Sequence, residues 1–309
     1  MKLYLHIGSH KSGSTSIQSF IEDNQALLGK AGFYIDENLT YRDQWQIAAW
    51  AGYPGNADYF VNTMKAFDDN ELKSFVARFP DEFRSKLTAT QRDKSVHSCL
   101  ISSEFLYSQC STESAIENLA VLFKSVFSSV TVIFYFRDQV SMAKSVYSQL
   151  VDGPAKAKIS YEEFVETITE ESEFNYAMQL KKWATHFGTE HIRVAQVGSN
   201  NGCLQGEALL HHFAKNLNSA NLPYHFRKKN ANRSPSYQAL RLIRQLNRIF
   251  SNTMFNVSYD NMGFRVIRKL IKSLPLKGQF PPHLDNIIAK RLDTSNKEMS
   301  RLFGANERD

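Results

Sequence analysis

Apolar positions along this chain follow two spacings in turn. Residues 3–7, LYLHI, form a short apolar run that ends at a glycine. From 14 to 28, Ile17, Phe20, Ile21 and Leu28 recur at helical spacing, with Glu22, Asp23 and Asn24 largely opposite. The pattern predicts a buried strand, a glycine loop and a helix. GFYID at 32–36 and SCLISS at 98–103 predict two further strands. SVTVIFYFR at 129–137 is β-branched and aromatic throughout and apolar on both faces, as a central parallel strand requires. A helix is predicted over 139–151, and another over 174–187 that closes at Gly188 and leads into a fifth strand, HIRVAQV at 191–197.

Strands alternating with helices imply an α/β fold, a P-loop-like parallel sheet of about five strands flanked by helices. Residues 37–96 are polar and aromatic with few strand signals, and read as helices and loops inserted beside the sheet. From about 234 the pattern becomes SPSYQALRLIRQLNRIF and then FRVIRKLIKSLPLKGQFPPHLDNIIAKRL, two helical stretches broken at SLPLKGQFPP. The expected organisation is an α/β domain over 1–233 and a helical C-terminal extension, 234–309, packed on the same domain.

Composition narrows this little. Apolar residues are 42% and charged residues 22% of the 309, close to the globular average, which excludes wholesale disorder and a fibrous architecture. The longest strongly apolar run, VTVIFYF, is far below the roughly 18 residues of a membrane span. The opening run is too short for a secretory segment, and three scattered cysteines, an odd number, make a reducing cytoplasm the expected location. Cys99, Cys110 and Cys203 lack metal-ligand spacing, and no metal is expected. The formal charge of +6 fits an anionic cofactor, an acidic substrate or a basic surface.

The candidate chemistry sits in GSHKSGST, residues 8–15. A glycine loop between a strand and a helix aims backbone N–H groups and the positive helix end at one spot, which suits an anion. In the ATP-binding form, G-x-x-x-x-G-K-[ST], a lysine follows the second glycine. Here Gly8 and Gly13 keep the spacing, but Ser14 stands where that lysine would be and Lys11 comes two residues before Gly13. A second constellation lies in FRDQVSMAKSVYSQ, with Arg137 at the end of the clearest strand and Ser145 eight residues on. The carboxyl ends of strands in open α/β sheets carry the ligand site, so Arg137 is expected at the same crevice as the loop.

These two motifs together resemble the sulfotransferases that use 3′-phosphoadenosine 5′-phosphosulfate. Their first motif, close to P-K-[ST]-G-[ST]-[ST], is matched by HKSGSTS at 10–16, with His10 in place of the usual proline. Their second, an arginine at a strand end with a serine eight residues later, is matched by Arg137 and Ser145. HIGSHKSGSTSIQSFI, LISSEFL and FRDQVSMAKSVYSQLV are similar to a bacterial branch whose loop often reads H-x-G-x-x-K-T-G-T-T. The resemblance covers roughly residues 3–217 and weakens over the last ninety.

It implies that Lys11 and the amides of Ser12, Gly13, Ser14, Thr15 and Ser16 hold the 5′ end of the nucleotide. Arg137 and Ser145 would hold its 3′-phosphate, with adenosine 3′,5′-bisphosphate as the product. Lys11 would also neutralise charge on the leaving phosphate. For the base that deprotonates a hydroxyl or amine acceptor, the resemblance points to Glu104, with His10 and the pair Asp36 and Glu37 as rivals.

FRKKNANRS at 226–234 stands where the family carries a basic loop over the 3′-phosphate, although the glycines of the cytosolic version are missing. Arg227, Lys228 and Lys229 are its candidate ligands; a solvated charge run is the other reading. Arg241, Arg244 and Arg248 share one helical face, and FRVIRKLIKSL repeats the basic amphipathic pattern, suited to peripheral contact with anionic lipid or to an acidic polysaccharide. No recognised nucleic-acid-binding motif accompanies the charge. The acceptor class stays open among carbohydrate, lipid headgroup and small metabolite. Two other functions stay open as well: a P-loop kinase using ATP and magnesium, and a noncatalytic anion- or polysaccharide-binding relative.

Overall fold

The structure, a computed structural model, describes residues 1–9, 11–35, 44–198, 203–227, 235–251 and 262–304. In chain order the elements are β1 (Lys2–His6), α1 (Ser14–Asp23), α2 (Gln25–Lys30), β2 (Phe33–Tyr34), α3 (Gln46–Ala51), α4 (Asp69–Thr90), β3 (Ser98–Ser102), α5 (Phe105–Gln109) and α6 (Glu113–Lys124). Then follow β4 (Ser129–Phe136), α7 (Gln139–Asp152), α8 (Tyr161–Glu166), α9 (Tyr176–Phe187), β5 (Ile192–Gln196) and α10 (Glu207–Asn216). The chain ends in α11 (Tyr237–Ser251), α12 (Met262–Ser273), α13 (Pro282–Arg291) and α14 (Asp293–Phe303).

All five predicted strands form, and they join in one parallel sheet of order β2-β3-β1-β4-β5. The predicted helix over 14–28 is instead two, broken at Asn24. Asn24 Nδ2 donates to Phe20 O and His225 O, both at 2.9 Å, while its Oδ1 accepts from the His225 N–H at 2.7 Å. A long-range pairing thus overrides the local helical pattern, as asparagine's side chain readily allows. The second predicted strand shortens to Phe33–Tyr34 at the sheet edge.

The chain divides into two compact units. The first comprises Met1–Arg137, Tyr176–Lys229 and Lys297–Asp309, and holds the whole sheet. Its two faces are both buried, as the β4 pattern requires. Tyr4, Leu100, Ile133 and Tyr135 pack with Ile17, Phe20 and Ile21 of α1 and with Leu209, Leu210 and Phe213 of α10. On the other face Phe134 meets Tyr107 of α5 and Tyr176 of α9, with ring centroids 5.1 and 5.7 Å apart.

The second unit comprises Asp138–Asn175 and Asn230–Asn296. The sequence changes character near 234, whereas this unit groups the later helices with α7 and α8. In it α7 packs against α8, α11 and α13, and α11 against α12. Buried Asn247 of α11 ties this together by donating to Val151 O and Ala157 O at 2.9 and 3.1 Å. No helix among the described residues is long and apolar enough to cross a membrane.

Candidate functional site

Strand order fixes where a ligand site can lie. The connection after β1 leads to β2 on one side of the sheet, while β4 leads on to β5 on the other. Adjacent strands whose connections part in this way open a crevice at their carboxyl ends. The glycine loop leaves the end of β1, and Arg137 directly follows β4. Glu104 lies two residues beyond β3, the other neighbour of β1.

The loop is anchored from beneath. Ser9 donates through both its N–H and its Oγ to Tyr135 O, each at 3.2 Å, and Ser12 Oγ donates to Ser9 O at 2.6 Å. Lys11 and Gly13 have φ of 60° and 90°, so the backbone turns through left-handed conformations before α1 begins. At Gly13 a Cβ would come within 2.5 Å of the Leu209 side-chain tip in α10, and the φ of 90° independently favours glycine. The Ser16 and Ile17 N–H groups bond back to Gly13 O at 2.8 and 3.1 Å. The Ser16 amide assigned to a ligand from the sequence is therefore already engaged. Gly13, Ser14 and Thr15 donate no such bond among the described residues, as befits a helix N-terminus.

Under the loop lies His6, fully buried, with Nδ1 2.8 Å from Ser102 Oγ. Burial pushes its imidazole from an ordinary 6.5 down to about 3, so it is neutral at neutral pH. Its Nε2 and the buried Ser14 Oγ have no hydrogen-bond partner among the described residues. A Cβ on Gly8 would stand 2.8 Å from each of them. Gly8 therefore lets the backbone pass directly over these two groups, an approach that a side chain would obstruct.

Glu104 is half-buried, and its carboxylate accepts from Gln18 Nε2 of α1 at 3.3 Å. Gln18 lies one helical turn past Ser14, which brings Glu104 against the helix that carries the loop. Ser103 is buried with an Oγ unpartnered among the described residues, while Ser102 Oγ is committed to His6 and the Ser102 N–H donates to Gln44 Oε1 at 2.7 Å. No spacing in the sequence signals Gln18 or Gln44, because both act across long separations.

Arg137 is half-buried; its carbonyl accepts from Tyr176 Oη at 2.9 Å, and its guanidinium pairs with no carboxylate among the described residues. Ser145 is half-buried on α7 in the second unit. Arg227 makes an ion pair with Asp23 at 2.9 Å, with most of its own side chain in solvent. Just before it, Phe226 stacks on Phe20 of α1 at 5.6 Å. His10, Asp36, Glu37, Lys228 and Lys229 lie outside the described residues.

No family model matches the chain, and neither does any curated protein. Among solved structures it is similar to a sulfotransferase from Alicyclobacillus acidocaldarius, at 13% identity over 99% of this chain and 96% of that one, with a TM-score of 0.46. It is also similar to mouse sulfotransferase SULT7A1 complexed with PAP, at 12% identity over 99% of this chain and 86% of that one, with a TM-score of 0.38.

Proposed function

We propose that this chain is a sulfotransferase that moves a sulfuryl group from 3′-phosphoadenosine 5′-phosphosulfate to a hydroxyl or amine by in-line displacement. One observation carries the reading. Lys11 in the loop after β1 and Arg137 at the end of adjacent β4 are two cations without a carboxylate partner among the described residues, flanking a helix N-terminus. A nucleotide with phosphates at both ends of its ribose calls for two such positive positions. The sequence motifs assign the same residues.

The loop fits the 5′ end of such a donor. Among the described residues it offers the Gly13, Ser14 and Thr15 amides without a backbone acceptor, and an unpartnered Ser14 hydroxyl. When bound, the donor supplies the sulfuryl group and a phosphate leaving group. Lys11 stabilises the negative charge that builds at the 5′ end, with the helix dipole acting in the same sense. Arg137 binds the 3′-phosphate, and Ser145 joins it on the strength of the motif's spacing. Arg227, Lys228 and Lys229 belong to the basic segment assigned to the same phosphate.

Glu104 takes the acceptor's proton, and the Gln18 amide fixes its carboxylate. His10 and the pair Asp36 and Glu37 are the alternatives for this role. The acceptor is a carbohydrate, a lipid headgroup or a small metabolite.

The test is calorimetric titration with adenosine 3′,5′-bisphosphate, set beside ADP with magnesium. The proposal expects binding of the bisphosphate that is lost in a folded Arg137→Ala variant. Binding of magnesium ADP alone moves the chain to the kinases, and binding of neither leaves a noncatalytic relative.

A further inference from the structure

An amphipathic helix on a globular protein ordinarily turns its apolar stripe inward. Helix α12 does the opposite. Its buried side chains are Phe264 and Arg268. Arg268, only 4% exposed, pairs with Asp152 at the end of α7, and Lys272 reaches the other Asp152 oxygen at 3.0 Å. Phe264 packs edge-on against Phe250 of α11 at 5.7 Å, and the Arg268 guanidinium lies over the Phe264 ring. These contacts fix the helix's rotation within the second unit.

With that rotation Met262, Val266 and Leu270 follow one another at four-residue spacing along the outer face, at 80%, 51% and 60% exposure. Ile267 and Leu274 widen the stripe. Among the described residues, every exposed large hydrophobic side chain except Val121 and Ile159 lies on α11, α12 or just beyond. Such concentration marks an interaction surface, since isolated exposed apolar residues are the usual case. Exposed Arg265 and Lys269 run along one edge of the stripe, on the side away from Leu274, and α12 carries no acidic residue.

We infer that α12 is a docking surface for an anionic lipid bilayer. An aliphatic stripe edged by cations matches the boundary between acyl chains and acidic headgroups, with the helix lying in the plane of the interface. A soluble acidic polymer satisfies the cations and leaves the stripe in water, so the aliphatic face selects lipid. The inference does not depend on the transfer reaction proposed above.

The experiment is co-sedimentation of the full chain with vesicles of phosphatidylcholine containing phosphatidylserine, beside vesicles of phosphatidylcholine alone. Binding is expected only to the first, weakened by salt. Val266→Asp with Leu270→Asp abolishes it at unchanged circular dichroism, because both positions are exposed. Arg265→Gln with Lys269→Gln lowers partitioning by roughly thirtyfold, at about a fivefold loss per cation near the surface. The inference is overturned if the chain does not sediment with the acidic vesicles, or if the double aspartate variant sediments as well as the parent. Light scattering that shows a dimer converted to monomer by Val266→Asp also overturns it, and assigns the stripe to a second copy. Binding to heparin that survives the aspartate changes, without vesicle binding, assigns the cations to a polymer instead.

Discussion

Lys11 and Glu104 hold opposite ends of the proposed reaction, and their substitutions should separate in what they change. Lys11→Ala removes a charge that acts as the bond breaks, so turnover should fall by roughly a hundredfold or more with the fold intact. Glu104→Gln should lower turnover by a similar order while leaving bisphosphate affinity unchanged. Steady-state rates beside calorimetry decide the matter; undiminished turnover in either variant removes that residue's role. His6 makes a different prediction. Its folded value near 3 lies below its ordinary 6.5, so the unfolded chain takes up the proton first as pH falls. Stability is therefore lost between 6.5 and 3, by up to on the order of 5 kcal/mol from this group. Urea unfolding across that window should show a shallower pH slope in His6→Gln than in the parent, and equal slopes would refute the assignment.

At the scale of elements, the break between α1 and α2 shows how a distant partner edits a local pattern. Leu28 continues the helical stripe of Ile17 and Ile21, so periodicity alone sees one helix. Asn24 ends α1 because its amide is taken by His225, the residue immediately before the basic stretch. Asn24→Ala should cost roughly 1–3 kcal/mol through the unpaired His225 groups. It should also raise hydrogen exchange over 224–227; unchanged exchange there would show that Phe226 stacking on Phe20 suffices to hold the segment. The loop, by contrast, was legible in full outline from Gly8, Lys11 and Gly13. What the sequence concealed was its support: Ser9 on Tyr135, Ser12 on Ser9, and Leu209 closing against Gly13.

For the whole molecule, ligand binding and stability are linked. A bisphosphate that binds only the folded chain should raise stability by about 2.7 kcal/mol at one hundred times its dissociation constant. Thermal unfolding should register this as a rise in Tm that is absent in Arg137→Ala, and equal rises in both proteins would detach Arg137 from the site. The loop and Arg137 both reside in the first unit, so the loss in Arg137→Ala reports on that unit.

The five strands, the glycine loop with its displaced lysine and the arginine at a strand's end are all readable in the sequence. These depend on side-chain periods of about two and 3.6 residues and on glycine spacing, which act over a few residues at a time. Parallel strands already share one carboxyl end, but only tertiary pairing sets β1 between β3 and β4, and so makes the strand ends that precede Glu104, Lys11 and Arg137 immediate neighbours. It also decided that α12 turns Phe264 and Arg268 inward and its aliphatic stripe outward. Strand order and helix rotation follow from which surfaces and charges meet across long separations, as Asp152 meets Arg268. No local period carries that information.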